Sequence, residues 1–134
     1  MRVDRDNLDP GFLMWNMRRR IVHDRLPPRR IVVRFKFSGV PVRYRGPRLF
    51  WLLLDRVQSD LCIEDPGIEV DLYVDADLAA MARVWLGDST FEQALLSGKV
   101  QLKGSRELAR AFPSWLMLSH FAKVPRPQGQ AATT

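Results

Sequence analysis

The stretch IEVDLYVDADLAAMARVW, residues 68–85, changes its hydrophobic period within a few positions. Its first half alternates between apolar and polar residues, the pattern of a strand with one buried face. Its second half repeats at helical spacing, as in a helix that packs one apolar stripe against a core. The apolar positions are Ile68, Val70, Leu72 and Val74 in the first half and Leu78, Met81, Ala82 and Trp85 in the second. The stretch therefore predicts a strand that leads directly into a helix.

Three further strands precede this stretch. Residues 31–37 alternate in the same way and place Phe35 and Phe37 on one face. Residues 49–54 form an unbroken apolar run, which indicates a more deeply buried strand. Residues 58–64 predict a shorter strand with Leu61 and Ile63 facing inward. Because short turns join these segments, the simplest arrangement of the four strands is an antiparallel meander.

Helices are predicted on both sides of these strands. Asp9 suits the N-cap and Pro10 the first position of a helix that extends to about Val22. Pro27 and Pro28 forbid its continuation, because proline lacks the amide hydrogen and clashes with the preceding turn. The sequence Ser89-Thr90-Phe91-Glu92 matches a capping box and predicts another short helix.

The C-terminal third adds one strand and one helix. Residues 100–104 alternate again and predict a fifth strand. Ser105 suits the cap of a helix that buries Leu108, Ala109 and Phe112. Pro113 is expected to interrupt this helix, so that residues 115–118 form a separate apolar turn.

These elements predict an α/β (α+β) domain. Its five-stranded, largely antiparallel sheet would have one face covered by about four to five helices. The chain has 134 residues, a length that fits a single domain. We expect residues 1–7 to be a linker, 8–124 the folded domain and 125–134 a disordered tail.

Composition favours a cytoplasmic protein. The longest apolar run, Leu49–Leu54, is far shorter than the roughly 20 residues that span a membrane. The N-terminus lacks the apolar segment of a secretory signal. Cys62 is the single thiol, which excludes an internal disulfide and suits a reducing compartment.

Charge is unevenly distributed along the chain. Residues 1–48 carry 13 basic and 4 acidic side chains, whereas residues 60–77 carry seven acids and no base. Such asymmetry is compatible with a nucleic-acid partner, although no base-reading motif accompanies it. The other interpretation is internal: the basic first segment faces the acidic strands that follow.

The sequence contains no recognisable catalytic motif. The two histidines, His23 and His120, stand outside any ligand-spaced cluster, and no metal-binding, nucleophile-elbow or phosphate-loop motif is present. Cys62 lies within a predicted strand, where a buried, inert thiol is usual. We therefore expect no enzyme activity, no catalytic residue, no metal and no cofactor.

Large aromatic residues are concentrated in the C-terminal half and can face others on the sheet. Most of them would belong to an ordinary core between sheet and helices, but short helices bearing large aromatics can also enclose an apolar cavity. The residues expected to line such a cavity are Phe35, Phe37, Trp51, Met81, Trp85, Phe91, Phe112, Trp115, Met117 and Phe121.

The order of motifs from residue 70 to 112 resembles the sterol carrier protein type 2 domain. The strand 70–78 leads to Trp85-Leu86-Gly87-Asp88, and Ala94 precedes Ser97-Gly98-Lys99 and Gly104. The segments 8–30 and 112–116 resemble more closely a bacterial branch in which this domain follows an HxlR-type winged-helix domain. The resemblance covers roughly residues 8–126 and implies a hydrophobic tunnel for lipid-like ligands.

The expected function is binding of a hydrophobic small molecule or lipid between the sheet and the C-terminal helices, as the sensor of a transcription-regulator family. A fused or associated winged-helix domain would be its partner. Two alternatives remain open. One is an interaction module with a filled core, forming a homodimer through the basic helix at Arg18–Arg20 and the aromatic residues. The other is a weak, non-specific nucleic-acid-binding auxiliary that uses residues 1–48.

Overall fold

A computed structural model describes residues 8–118. The helices are α1 (Pro10–Arg19), α2 (Leu78–Leu86), α3 (Phe91–Leu96) and α4 (Arg106–Trp115), with a single 3-10 turn at His23–Arg25. The strands are β1 (Ile31–Ser38), β2 (Leu49–Leu54), β3 (Ser59–Cys62), β4 (Leu72–Asp77) and β5 (Val100–Gly104). The predicted linker, residues 1–7, and the predicted tail, residues 125–134, lie outside the described residues.

The strands form a single five-stranded sheet in the order β3-β2-β1-β4-β5. Three neighbouring pairs are antiparallel, while β1 and β4 run parallel at its centre. The predicted fold class, a mixed sheet of five strands with helices, is confirmed, with four α-helices in the described part of the chain.

The predicted meander is wrong at its last step, because β4 pairs with β1 and not with β3. A parallel neighbour cannot be reached through a tight turn, so residues 63–71 cross over the sheet instead. Ile68, predicted to be buried in this strand, lies in the crossover and is 38% exposed. Asp71 ends the crossover: its amide donates to the Val32 carbonyl at 2.8 Å, and its carboxylate accepts from the Val32 amide at 2.8 Å.

All four helices contribute buried residues to one apolar core on a single face of the sheet. Alternation along the strands decides which residues face it: Val33 and Phe35 of β1 and Phe50 and Leu52 of β2 belong to the core. The residues between them, such as Arg34 and Trp51, point to the opposite face. We call these the helix face and the outer face of the sheet.

The predicted N-caps agree with the observed ones, except that the capping box of α3 is displaced by one residue. The Asp9 carboxylate accepts from the amides of Gly11 and Phe12 at 2.8 and 3.2 Å, as expected for an N-cap. The predicted capping box at Ser89–Glu92 is wrong by one residue, since Thr90 is the cap and Gln93 closes the box. Helix α1 ends at Arg19, three residues earlier than Val22, the predicted end.

Helix α4 does not break at Pro113, which corrects the prediction of a separate turn at residues 115–118. The helix continues to Trp115 and ends two residues after the proline. Pro113 therefore lies in the last turn, where a helix has few further backbone hydrogen bonds for a proline to disrupt. The Leu118 amide then donates to the Pro113 carbonyl at 2.6 Å and the Met117 amide to the Ser114 carbonyl at 3.3 Å. This pair of bonds is a Schellman motif.

The Schellman motif places Met117 in the left-handed region, with φ of 59°. Glycine is the usual residue there, because a Cβ atom costs about 1 kcal/mol in this conformation. We expect Met117→Gly to raise the free energy of unfolding by about 0.5–1 kcal/mol, measured by urea denaturation. The neighbouring Leu116→Gly, at a negative φ and buried, should lower it. A destabilised Met117→Gly protein would mean that the Met117 side chain makes contacts that outweigh the backbone strain.

Candidate functional site

Phe112 of α4 is the centre of an aromatic cluster that joins the helices to the sheet. Its ring centroid lies 6.0 Å from Phe35, 5.8 Å from Phe91 and 5.8 Å from Trp115. Phe35 continues the cluster to Phe37, with centroids 6.2 Å apart. We call these five residues the aromatic cluster. Large apolar rings therefore fill the interface between β1, α3 and α4.

Six of the predicted cavity residues are buried in the core on the helix face. They are Phe35, Phe37, Met81, Phe91, Phe112 and Trp115. Phe50 was missing from the predicted set, although its ring lies 5.9 Å from Phe37. Phe50 lies in the unbroken apolar run 49–54, which shows no alternation and therefore does not separate Phe50 from Trp51. The signal that finds it is the register of β2, in which Phe50 shares a face with Leu52 and Leu54.

Trp51 lies on the outer face, opposite to the aromatic cluster. It is directly paired with Arg34 across β1 and β2, and it is 7% exposed. Its assignment to the cavity together with Phe35 and Phe37 is therefore corrected. The reason is the period of two along a strand, which turns neighbouring residues to opposite faces.

Two other predicted residues are less buried than the aromatic cluster. Trp85 is only partly buried, and the Arg20 guanidinium lies 5.0 Å from its ring centroid. Met117 is 54% exposed, because the left-handed turn directs it away from the core. Phe121 lies outside the described residues.

Trp85 is therefore expected to tolerate truncation better than a fully packed tryptophan. Replacing a buried tryptophan by alanine typically costs about 3–5 kcal/mol. For Trp85→Ala we expect the free energy of unfolding to fall by about 1–2 kcal/mol, because part of the ring already contacts water. Of this loss, the cation–π contact with Arg20 contributes about 0.5–1 kcal/mol, the usual value at an exposed site. Urea denaturation measures this difference. A loss of the full core penalty would show that Trp85 is a structural part of the core.

The outer face pairs part of the basic segment with the acidic strands. Arg34 contacts the Asp75 carboxylate at 3.3 Å and lies 4.6 Å from the Tyr73 ring centroid. Lys103 reaches the same carboxylate at 3.9 Å from the neighbouring strand. The parallel pairing of β1 and β4 brings these charges together, in agreement with the internal interpretation of the charge asymmetry.

Other basic residues of the first segment lie on α1 and in the loop 39–48. Helix α1 exposes Phe12 and Trp15, and the Arg18 guanidinium lies 4.9 Å from the Trp15 ring centroid. The loop 39–48 lies beside the start of α1: burial and then the charge of Asp9 raise the pKa of Tyr44 in this loop. Exposed arginines and aromatics therefore share one region of the surface.

This region predicts weak, sequence-independent binding to nucleic acid. Its arginines can contact phosphates, whereas the sequence holds no motif that reads base edges. We expect the affinity for random duplex DNA to fall steeply, by about tenfold or more, between low and physiological salt. Fluorescence anisotropy at several salt concentrations measures this. A salt-resistant complex that selects one sequence would contradict it.

Residues 8–118 lack the features of a metal site and of a membrane span. No group of three or more His, Cys, Asp or Glu side chains in this range is arranged to hold a metal ion. An open groove of about 400 Å³ lies on α4, lined by Arg106, Glu107, Arg110 and Ala111. Within the same range no helix combines the length and apolarity needed to cross a bilayer.

Comparison with known proteins gives structural matches only. No protein-family model matches the chain, and no curated protein matches it. It superposes on sterol carrier protein domain 2 of Helicoverpa armigera with a TM-score of 0.64 and 11% identity, covering 92% of this chain and 99% of that one. Palmitated SCP2L2 from Aedes aegypti gives a TM-score of 0.60 and 16% identity, covering 87% and 100%.

A larger enzyme contains the same fold. The sec-alkylsulfatase from a Pseudomonas species matches with a TM-score of 0.62 and 13% identity over 89% of this chain. The match spans only 17% of the sulfatase, so it concerns one domain of that enzyme. The two insect proteins are matched over nearly their whole length, and they have the fold that the resemblance implied. The chain has the fold of the sterol carrier protein 2 domain.

Proposed function

We propose that this chain binds an apolar, lipid-like ligand between the sheet and its C-terminal helices and that it catalyses no reaction. The observation that carries the proposal is the aromatic cluster, in which Phe112 of α4 meets Phe35 of the sheet. The fold supports it, since one relative of the same fold is a palmitated protein. Each methylene group buried among such rings contributes about 0.8 kcal/mol to affinity.

The proposed entry for the ligand is the C-terminal end of α4. Pro113 removes one backbone hydrogen bond there, and Met117 carries backbone strain. Two bonds hold this end to the segment after α1: the Val22 amide donates to the Trp115 carbonyl at 2.8 Å, and Arg25 donates to the Ser114 carbonyl at 3.3 Å. Separating the end of α4 from this segment costs less free energy than separating two strands, because fewer hydrogen bonds are broken.

We further propose that the domain is cytoplasmic and acts as the sensor of a transcription regulator. The resemblance of residues 8–30 and 112–116 to domains that follow HxlR-type winged helices supports this role. A ligand would regulate such a partner only through different affinities for its two conformations. Adding the ligand should therefore change the DNA affinity of a fused or associated winged-helix domain.

Displacement of a fluorescent fatty-acid methyl ester probe tests ligand binding, and native mass spectrometry of the purified protein searches for a retained lipid. Phe91 and Leu96 form a matched pair on α3, since Phe91 is buried and Leu96 is 82% exposed. We expect Phe91→Ala to weaken probe binding at least about fivefold, the equivalent of 1 kcal/mol, and Leu96→Ala to leave it unchanged. Equal affinities in both variants, or no binding to the unaltered protein, would contradict the proposal.

Phe12 and Trp15 favour one alternative, an interaction module that dimerises through α1. Phe12 is 68% exposed beside the basic end of this helix, an unusual position for a phenylalanine. Sedimentation velocity would then show a dimer that Trp15→Ala converts to a monomer. A monomeric protein at all accessible concentrations would exclude this alternative.

A further inference from the structure

The indole N–H of Trp115 is buried without a hydrogen-bond partner among the described residues. The Trp115 side chain is 0% exposed, and its Nε1 atom has no acceptor within reach. Buried tryptophans usually find a partner for this donor, because leaving it unpaired costs free energy. An unpaired donor at the edge of a proposed ligand site therefore points to an acceptor that residues 8–118 do not supply, such as a polar group of a bound ligand.

The surroundings of this donor are apolar. The Phe112 ring lies edge-on to the indole, with centroids 5.8 Å apart, and the buried core to which both rings belong consists of apolar side chains. Ser59 is the one buried polar or charged residue in the described part of the chain. Its hydroxyl already donates to the Arg18 carbonyl at 2.9 Å, between β3 and α1. A ligand in this core therefore meets apolar walls and one free N–H donor.

The donor is also held in a fixed place. The Trp115 carbonyl accepts from the Val22 amide, and the Schellman motif holds the backbone immediately after Trp115. The edge-on contact with Phe112 restricts rotation of the ring. A donor fixed before binding loses little freedom when an acceptor arrives, which favours selectivity.

We propose that Trp115 is the specificity-determining residue of the ligand site, its indole N–H donating to a neutral carbonyl oxygen of the ligand. This inference rests on the proposed function. A carboxylate would be a poor occupant at this depth, because one neutral donor cannot compensate for a buried charge. A hydroxyl would bring a donor of its own that the apolar walls leave unpaired. The carbonyl groups of long-chain esters and ketones accept hydrogen bonds and donate none, so they match the single indole N–H donor.

Two ligands of equal chain length test the proposal, 2-tridecanone and tridecane, each competing with the fluorescent probe. We expect the ketone to bind about tenfold more tightly, the value of one net hydrogen bond. In Trp115→Phe, which removes the N–H but keeps an aromatic ring, this preference should fall to about twofold or less. Trp15→Phe is the matched control, since Trp15 is exposed on α1, and it should retain the full preference.

A second measurement follows ligand binding in the unaltered protein and uses the variant only to assign one signal. The chain has four tryptophans, and an NMR spectrum of the ¹⁵N-labelled protein resolves their indole N–H signals. The signal lost in Trp115→Phe should move downfield when 2-tridecanone binds to the unaltered protein and move less with tridecane. If the ketone binds without moving this signal, or if the preference survives in Trp115→Phe, the inference about Trp115 is wrong. If neither compound binds, the proposed function itself fails.

Discussion

Replacing Gly104 by alanine is expected to lower the free energy of unfolding by about 3 kcal/mol or more. Gly104 pairs with Leu72 at the end of β5 and has φ of 135°, a region that L-residues rarely adopt. An added Cβ atom would lie 2.6 Å from the Asp71 carbonyl oxygen and 3.3 Å from the Leu72 Cα atom. Both are backbone atoms of the central part of the sheet, so neither can move aside without disturbing the β4–β5 pair.

Gly98 is the matched control for this prediction. It also has a positive φ, 78°, but no atom lies within 4 Å of the place where its Cβ would be. Gly98→Ala should therefore cost only the backbone strain, about 1 kcal/mol. Urea denaturation of both variants separates the two effects. Equal losses would show that the close approach to Asp71 contributes nothing, and that the conformation alone requires glycine at residue 104.

Phe112→Ala is expected to cost about 3–5 kcal/mol, the penalty of a large ring removed from a packed core. Phe112 is fully buried and contacts Phe35, Phe91 and Trp115, so its removal separates α4 from both the sheet and α3. A loss of this size is a large part of the total stability of a small domain. The same substitution should also weaken binding of the fluorescent probe, because the ring is a wall of the proposed site.

Leu96→Ala serves as the stability control and should stay within about 0.5 kcal/mol, since Leu96 is largely exposed. Phe112→Leu keeps much of the apolar volume and should give an intermediate loss. Should Phe112→Ala instead prove nearly as stable as the unaltered protein, the ring would border an open space and not a packed core. Comparison of Phe112→Ala with Leu96→Ala therefore measures how tightly the aromatic cluster is packed.

Local patterns in the sequence predicted much of what is local in the structure. The alternation of residues 31–37 predicted β1 and the inward positions of Phe35 and Phe37. Asp9 and Ser105 were identified as helix caps, and their side chains accept the expected amide hydrogens. In each case the signal and the structure depend on residues within one or two turns or along a single strand.

The wrong predictions for Trp51 and Pro113 share one cause, which is that distant contacts decided them. Trp51 was placed with Phe35 because a continuous apolar run carries no information about which face each residue takes. Pro113 was expected to end α4, but the packing of Phe112 and Trp115 on either side of it keeps the helix intact to Trp115. Tertiary contacts there outweigh a local preference.

By itself, the sequence determined five strands, the helices around them and a C-terminal half rich in buried aromatics. Only the tertiary structure decided that β4 lies parallel to β1, that Phe50 and not Trp51 faces the helices, and that the indole of Trp115 is buried without a partner in the described part of the chain. Strand order and burial depend on contacts between residues far apart in the chain. Hydrophobic periodicity reports only which side of its own element a residue occupies.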